Sequence, residues 1–148
     1  MSLENIITEG IKTAMRAKDK VALDSLRAVK SQIQLLKTEA KGAEVSAEQE
    51  IAILQRMIKQ RKDSYEQFTA QGRTDLAEVE DAQMKVIEKF LPQQLTSEEL
   101  ETEMKAIISQ TGAESMKDLG KVMGVASKTL AGKSDGKSIS EMAKKLLS

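Results

Sequence analysis

The chain contains no cysteine and no histidine. Without cysteine there can be no disulfide, thiolate metal site or sulfur nucleophile. Without histidine, Ser–His–Asp and Cys–His arrangements and imidazole metal ligands are impossible, and no side chain has an unperturbed pKa near neutrality. Both absences argue against ordinary hydrolytic catalysis, so no catalytic residue, metal site or cofactor is expected. Tryptophan is also missing, and aromatics make up only 2% of the sequence. A core must therefore come from Leu, Ile, Val, Met and Ala, and the eight methionines read as part of it. Net charge is lacking too: 23 basic residues balance 23 acidic ones, so the chain as a whole is not a nucleic-acid-binding polycation. No apolar run approaches the roughly 18 residues that span a membrane. The N-terminus begins an amphipathic pattern at once, without a signal peptide's continuous apolar core. A cytoplasmic protein with no membrane partner is expected.

What is present is helical periodicity with a single proline, Pro92, in 148 residues. Leu3, Ile7, Ile11 and Ala14 line one face of a first helix, and Leu26, Val29, Ile33 and Leu36 one face of a second, starting near Asp19. Ser46-Ala-Glu-Gln49 fits a capping box for a third helix running through Ile51, Leu54, Ile58, Tyr65 and Phe68 to Gly72. Asp75-Leu-Ala-Glu78 has the pattern of a second box, opening a helix with Leu76, Val79, Val86 and Phe90 on its face. Arg61 and Gln83 interrupt these two seams. Arg61 is expected at the edge of the core, its stem over apolar surface and its guanidinium on a carboxylate such as Glu80; a buried anion-binding arginine is the alternative.

Leu91-Pro92 stops the fourth helix, and the domain boundary is placed there. Thr96-Ser-Glu-Glu99 is a third capping box, with Leu95 and Leu100 spaced as a hydrophobic staple. That helix should reach about Gln110, another should start at Ser115, and a short last one should occupy Ser138 to Leu147. The chain thus reads as all-α. A four-helix N-terminal domain, residues 1–92, precedes a smaller three-helix C-terminal domain, residues 93–148.

The most demanding stretch is "GKVMGVASKTLAGKSDGK", Gly120 to Lys137. Its Ala131-Gly132-Lys133-Ser134 resembles the end of a phosphate-binding P-loop, but the first glycine of that motif would fall at Ser127, and no strand precedes it. At about 100° per residue, Met116, Leu119, Met123, Ala126 and Leu130 share one side of a helix. Lys117, Lys121 and Lys128 share the other, with Gly124 among them and Gly120 at the margin. An interior glycine costs a helix about 1 kcal/mol relative to alanine. From the residues alone, two readings are open. Either Gly124 simply ends a helix early and the lysines form ordinary solvated surface, or the face is bare so that a partner's backbone can come close while ammonium groups meet its charges. The turn Gly132-Lys133-Ser134-Asp135-Gly136-Lys137 would add flexible N–H donors and two more lysines. Lysines with small residues and no aromatics suit phosphate contact and shape recognition, not base stacking. From Ala113 onward seven lysines face four acids, while Glu98, Glu99, Glu101 and Glu103 precede them against Lys105.

Four pieces carry a resemblance: Gly72-Arg73-x-Asp75-Leu76-Ala77, Leu91-Pro92-x-Gln94-Leu95, Gly120-Lys121-Val122-Met123-Gly124 and Gly132-Lys133-x-Asp135-Gly136. Through them, essentially the whole chain resembles the YqeY family of small bacterial proteins. The resemblance extends to the C-terminal helical and tail domains of GatB, a subunit of the tRNA-dependent amidotransferase. In GatB the catalytic core activates a carboxyl group with ATP, and a partner amidase supplies ammonia from glutamine; the helical and tail domains help hold the tRNA. GatB tails carry Gly-Lys-Ala-Asn-Pro where this chain has Gly132-Lys133-Ser134-Asp135-Gly136, so Asp135 replaces a neutral amide. The resemblance implies the holding part without the chemical part, with any carbon–nitrogen ligase label inherited from GatB. The leading expectation is a non-catalytic module that binds tRNA or another structured RNA through Lys117, Gly120, Lys121, Gly124, Lys128, Gly132, Lys133 and Lys137. The second is an accessory subunit that docks on an amidotransferase. The third is an enzyme of the glutamine-dependent amide-forming class, using carboxylates and lysines of shifted pKa.

Overall fold

Short polar side chains start most of the helices, because the first N–H groups of a helix have no partner within it. In the computed structural model, which describes residues 2–148, Ser2 accepts from the Asn5 N–H, Asp19 from Ala22, Ser46 from Gln49, Thr96 from Glu99 and Asp135 from Ser138. They open α1 (Leu3–Ala17), α2 (Lys20–Glu39), α3 (Ala47–Ala70), α5 (Ser97–Thr111) and α7 (Gly136–Leu147). Ser46 with Gln49 and Thr96 with Glu99 are full capping boxes, each side chain bonding the other's backbone. The remaining helices, α4 (Thr74–Glu88) and α6 (Leu119–Thr129), begin without a side-chain cap. Seven α-helices and one 3-10 turn account for the described residues, with no strand among them.

The chain divides into two compact units, Met1–Leu91 and Pro92–Ser148. In the first, Leu3 and Ile7 of α1, Leu26, Val29 and Ile33 of α2, and Ile87 of α4 join α3 residues in one core. Gly10 lets α1 approach α2 closely, since a Cβ there would lie 3.0 Å from Leu26 Cδ1. In the second, Leu100, Met104 and Ile107 of α5 meet Val122 and Ala126 of α6 and Ile139, Ala143 and Leu147 of α7. Leu95 packs on the same core as Leu100, which completes the staple.

Several expectations need correction. Asp75-Leu-Ala-Glu78 is not a capping box. Arg73 stands at the cap position without a side-chain cap bond, and Asp75, one residue inside the helix, engages the Arg73 guanidinium through two contacts of 3.3 Å. The buried residues of α3 are Ile53, Leu54 and Met57, and those of α4 are Ala77 and Ile87, while Tyr65 and Val79 stay exposed. Leu54, Ile58, Val86 and Phe90 join the core as expected, and because helix α3 packs on α2 as well as α4 its apolar side is wider than a single seam. The helix expected to start at Ser115 opens with a 3-10 turn, Met116–Asp118. Its tighter winding leaves Met116 exposed instead of on the core side.

Arg61 does interrupt the α3–α4 seam, and its partner is not a carboxylate. Its Nε–H donates to Gln83 Oε1 at 3.2 Å and an Nη1–H to the Met57 carbonyl at 3.1 Å. The two polar interruptions therefore satisfy each other. Burial pulls the guanidinium pKa below its usual value, while the Glu80 charge acts in the opposite sense without forming an ion pair.

Candidate functional site

Helix α6 sits in the second core by one side only. Val122 and Ala126 are fully buried, and Leu130 just beyond its end is 1% exposed. Gly120, Lys121, Gly124, Ser127 and Lys128 are all exposed. At both glycines an added Cβ would meet nothing within 4 Å, and neither has a positive φ. The protein's own packing and backbone therefore require glycine at neither place. At Gly124, in the middle of the helix, glycine costs about 1 kcal/mol of helix stability with no internal return.

Lys121 and Lys128 lie two turns apart, about 10 Å along the axis and on the same face. Neither they nor Lys117 take part in any ion pair among the described residues. Lys121 also occupies the first turn of α6 and Lys137 that of α7, and neither turn contains an acid. A cation there is disfavoured by the helix macrodipole by roughly 0.3–1 kcal/mol. By contrast, α1, α3, α4 and α5 all carry acids in their first turns.

The expected site residues fall into three groups. Gly120, Lys121, Gly124 and Lys128 form one exposed face of α6. Lys117 is exposed but lies in the 3-10 turn, off the periodic face of α6. Gly132, Lys133 and Lys137 belong to the α6–α7 connection, which is not the loose donor-rich turn anticipated. Gly132 is buried with φ +78°, the Lys133 N–H is taken by the Leu130 carbonyl at 2.9 Å, and Asp135 caps α7. Gly136 and Lys137 are thus the first residues of a helix two residues longer than expected. The side chains of Lys133 and Lys137 are exposed. The stretch resembling a P-loop joins helix to helix, so it has no strand to work from.

Sequence reasoning missed the role of Gln94. Its Nε2 donates to the Pro92 carbonyl at 2.8 Å and to the Gly132 carbonyl, and the next residue's N–H, from Leu95, donates to the Lys133 carbonyl at 2.8 Å. Two motifs noted separately, Leu91-Pro92-x-Gln94-Leu95 and Gly132-Lys133-x-Asp135-Gly136, are one hydrogen-bonded structure. No local signal in the sequence pairs them, 38 positions apart. Elsewhere, an open cleft between α2 and α3 has Gln32, Leu36, Glu39, Gln49, Ile53 and Arg56 in its walls; Arg56 is bonded to Gln32 at 2.8 Å, and Gln49 serves the α3 capping box. Among the described residues no group of three or more acids is placed to hold a metal ion, and no helix is long and apolar enough to cross a membrane.

Residues 4–147 match the family described as Yqey-like protein. "Altered inheritance of mitochondria protein 41, mitochondrial" of Lachancea thermotolerans is 30% identical over 99 residues, which is 67% of this chain and 53% of the relative. Its namesake in Saccharomyces cerevisiae is 31% identical over 97 residues, 66% of this chain and 52% of that protein. An uncharacterized protein of Schizosaccharomyces pombe is 28% identical over 92 residues, 62% of this chain and 74% of the relative. The aligned stretch spans about half the length of the first two. With the family match running through α1 to α7, the chain belongs to the YqeY-like family.

Proposed function

We propose that this protein is a non-catalytic module that holds structured RNA, tRNA being the leading candidate, through its backbone phosphates. The observation that carries the reading is the outer face of α6. Gly120 and Gly124 leave it bare where nothing in the chain needs the space, and Lys121 and Lys128 flank it without acidic partners. A sugar–phosphate strand fits both features, since it brings a close-approaching backbone and negative charge. Residues 92–148 contain no aromatic side chain, so bases cannot be read by stacking there, which favours duplex geometry over single strands. In this proposal residues 1–92 form a helical domain that serves as a platform, and residues 93–148 carry the RNA. The resemblance to the tRNA-holding region of GatB supports the same assignment, with amide-forming chemistry left to partners that possess it. The protein would work in the cytoplasm; the names of the Lachancea thermotolerans and Saccharomyces cerevisiae relatives place those two proteins in mitochondria.

The test is binding of the full chain to a bulk tRNA preparation, followed by fluorescence anisotropy across a salt series. With Lys117, Lys121, Lys128, Lys133 and Lys137 engaged, the log–log salt slope should be about −4.5, at roughly 0.9 per phosphate contact. Lys121→Glu with Lys128→Glu should weaken binding on the order of 100-fold with helicity intact; unchanged binding refutes the placement. The bare stripe also favours a second reading, in which a helix of an amidotransferase-like partner packs on Gly120 and Gly124. Capture of a protein that survives nuclease and moderate salt, with no tRNA binding, would select it.

A further inference from the structure

The Gly132–Lys133 turn is fastened from outside by the segment that precedes α5. The Gln94 side chain faces two carbonyl oxygens, those of Pro92 and Gly132. A carboxamide can serve two acceptors only through its nitrogen, so the network itself fixes its orientation. The Leu95 N–H adds a third tie, to the Lys133 carbonyl. Within the turn, the Lys133 N–H returns to Leu130, and Asp135 caps α7. Consecutive carbonyls, at Gly132 and Lys133, are thus both held by consecutive residues, Gln94 and Leu95. The lysine side chains on this frame, Lys133 and Lys137, remain exposed.

We propose that Gln94 is a positioning residue: its carboxamide clasps the α6–α7 turn to the Pro92–Leu95 segment and so presents the Lys133 and Lys137 ammonium groups in a fixed place for a phosphate ligand. The clasp is a statement about the protein alone; its consequence for binding rests on the RNA reading above. Fixing the lysines beforehand removes ordering cost from the binding step. Loss of the carboxamide leaves two backbone carbonyls without their donor and lets the turn open locally.

Two variants of the full chain test this, Gln94→Met, which keeps the length and removes the donors, and Gln94→Glu, which turns a carboxylate toward two carbonyl oxygens. Native-state amide exchange is read at Leu95 and Lys133, against Met104 and Val122 as core controls. Exchange at Leu95 and Lys133 should rise about tenfold in Gln94→Met and further in Gln94→Glu, with the controls unmoved. Unchanged exchange at those two amides overturns the clasp. Affinity for the tRNA preparation should fall about five- to tenfold in Gln94→Met, and Lys133→Ala should cost less in that background than in the wild type. Additive losses would show that Gln94 and Lys133 act independently and would overturn the positioning role. If the wild-type chain binds no tRNA, the RNA reading fails on its own, and the exchange measurement still decides the clasp.

Discussion

Gly124→Ala separates a glycine kept for the fold from one kept for something outside it. Gly124 lies in the middle of the eleven-residue helix α6 with helical backbone angles, and a methyl group there would have open space for 4 Å around it. No packing is lost, so the intrinsic preference of a helix interior for alanine, about 1 kcal/mol, should appear nearly undiminished as added stability. For a unit the size of the second one, that corresponds to a rise of about 4–8 °C in its midpoint. Tyrosine fluorescence will not register it, because the only tyrosine, Tyr65, lies in the first unit and there is no tryptophan. Amide exchange or resolved methyl resonances of Val122 and Leu130 during urea titration will. The same substitution should weaken tRNA binding, since the methyl group stands where the ligand backbone approaches. Higher stability with weaker binding is the expected pair of results. A destabilised variant would mean that the chain itself needs glycine there, and the argument for an outward-facing site would collapse.

Gly132→Ala should behave in the opposite way: that glycine is buried with φ +78°, so alanine should cost about 1–2 kcal/mol, read as a lower urea midpoint of the second unit. Arg61→Met should lower the stability of the first unit by roughly 1–2 kcal/mol, because it leaves Gln83 and the Met57 carbonyl without their donor. Adding Gln83→Leu should recover most of that loss by making the layer apolar, and failure to recover it would show that the arginine does more than complete the α3–α4 seam.

The family signatures gain a physical meaning only in three dimensions. Gly120 and Gly124 stand on an exposed helix face, whereas Gly132, equally conspicuous in the sequence, is a buried turn residue with positive φ. Lys121 and Lys128 share a face because α6 is regular between them, but Lys117 leaves it because the preceding turn winds as a 3-10 helix. Glycine and lysine look alike at each of these places in a linear reading, since neither has a local signal for whether a neighbouring segment covers it.

The amino-acid sequence alone determined where most helices begin and end, because caps and helix stops depend on residues within four positions of one another. Ser46 with Gln49, Thr96 with Glu99, and Pro92 needed no information from the rest of the chain. It also determined the all-α class, through apolar periodicity, and the absence of histidine and cysteine chemistry. The tertiary structure decided how far the buried side of α3 and α4 extends beyond the expected seam, to Ile53, Met57 and Ile87, because α2 adds a second packing surface. It decided that Arg61 is completed by Gln83 and not by Glu80. It alone joined Gln94 to Gly132, a pair 38 positions apart, for the plain reason that a side-chain amide and a distant carbonyl find each other only after the helices between them have packed.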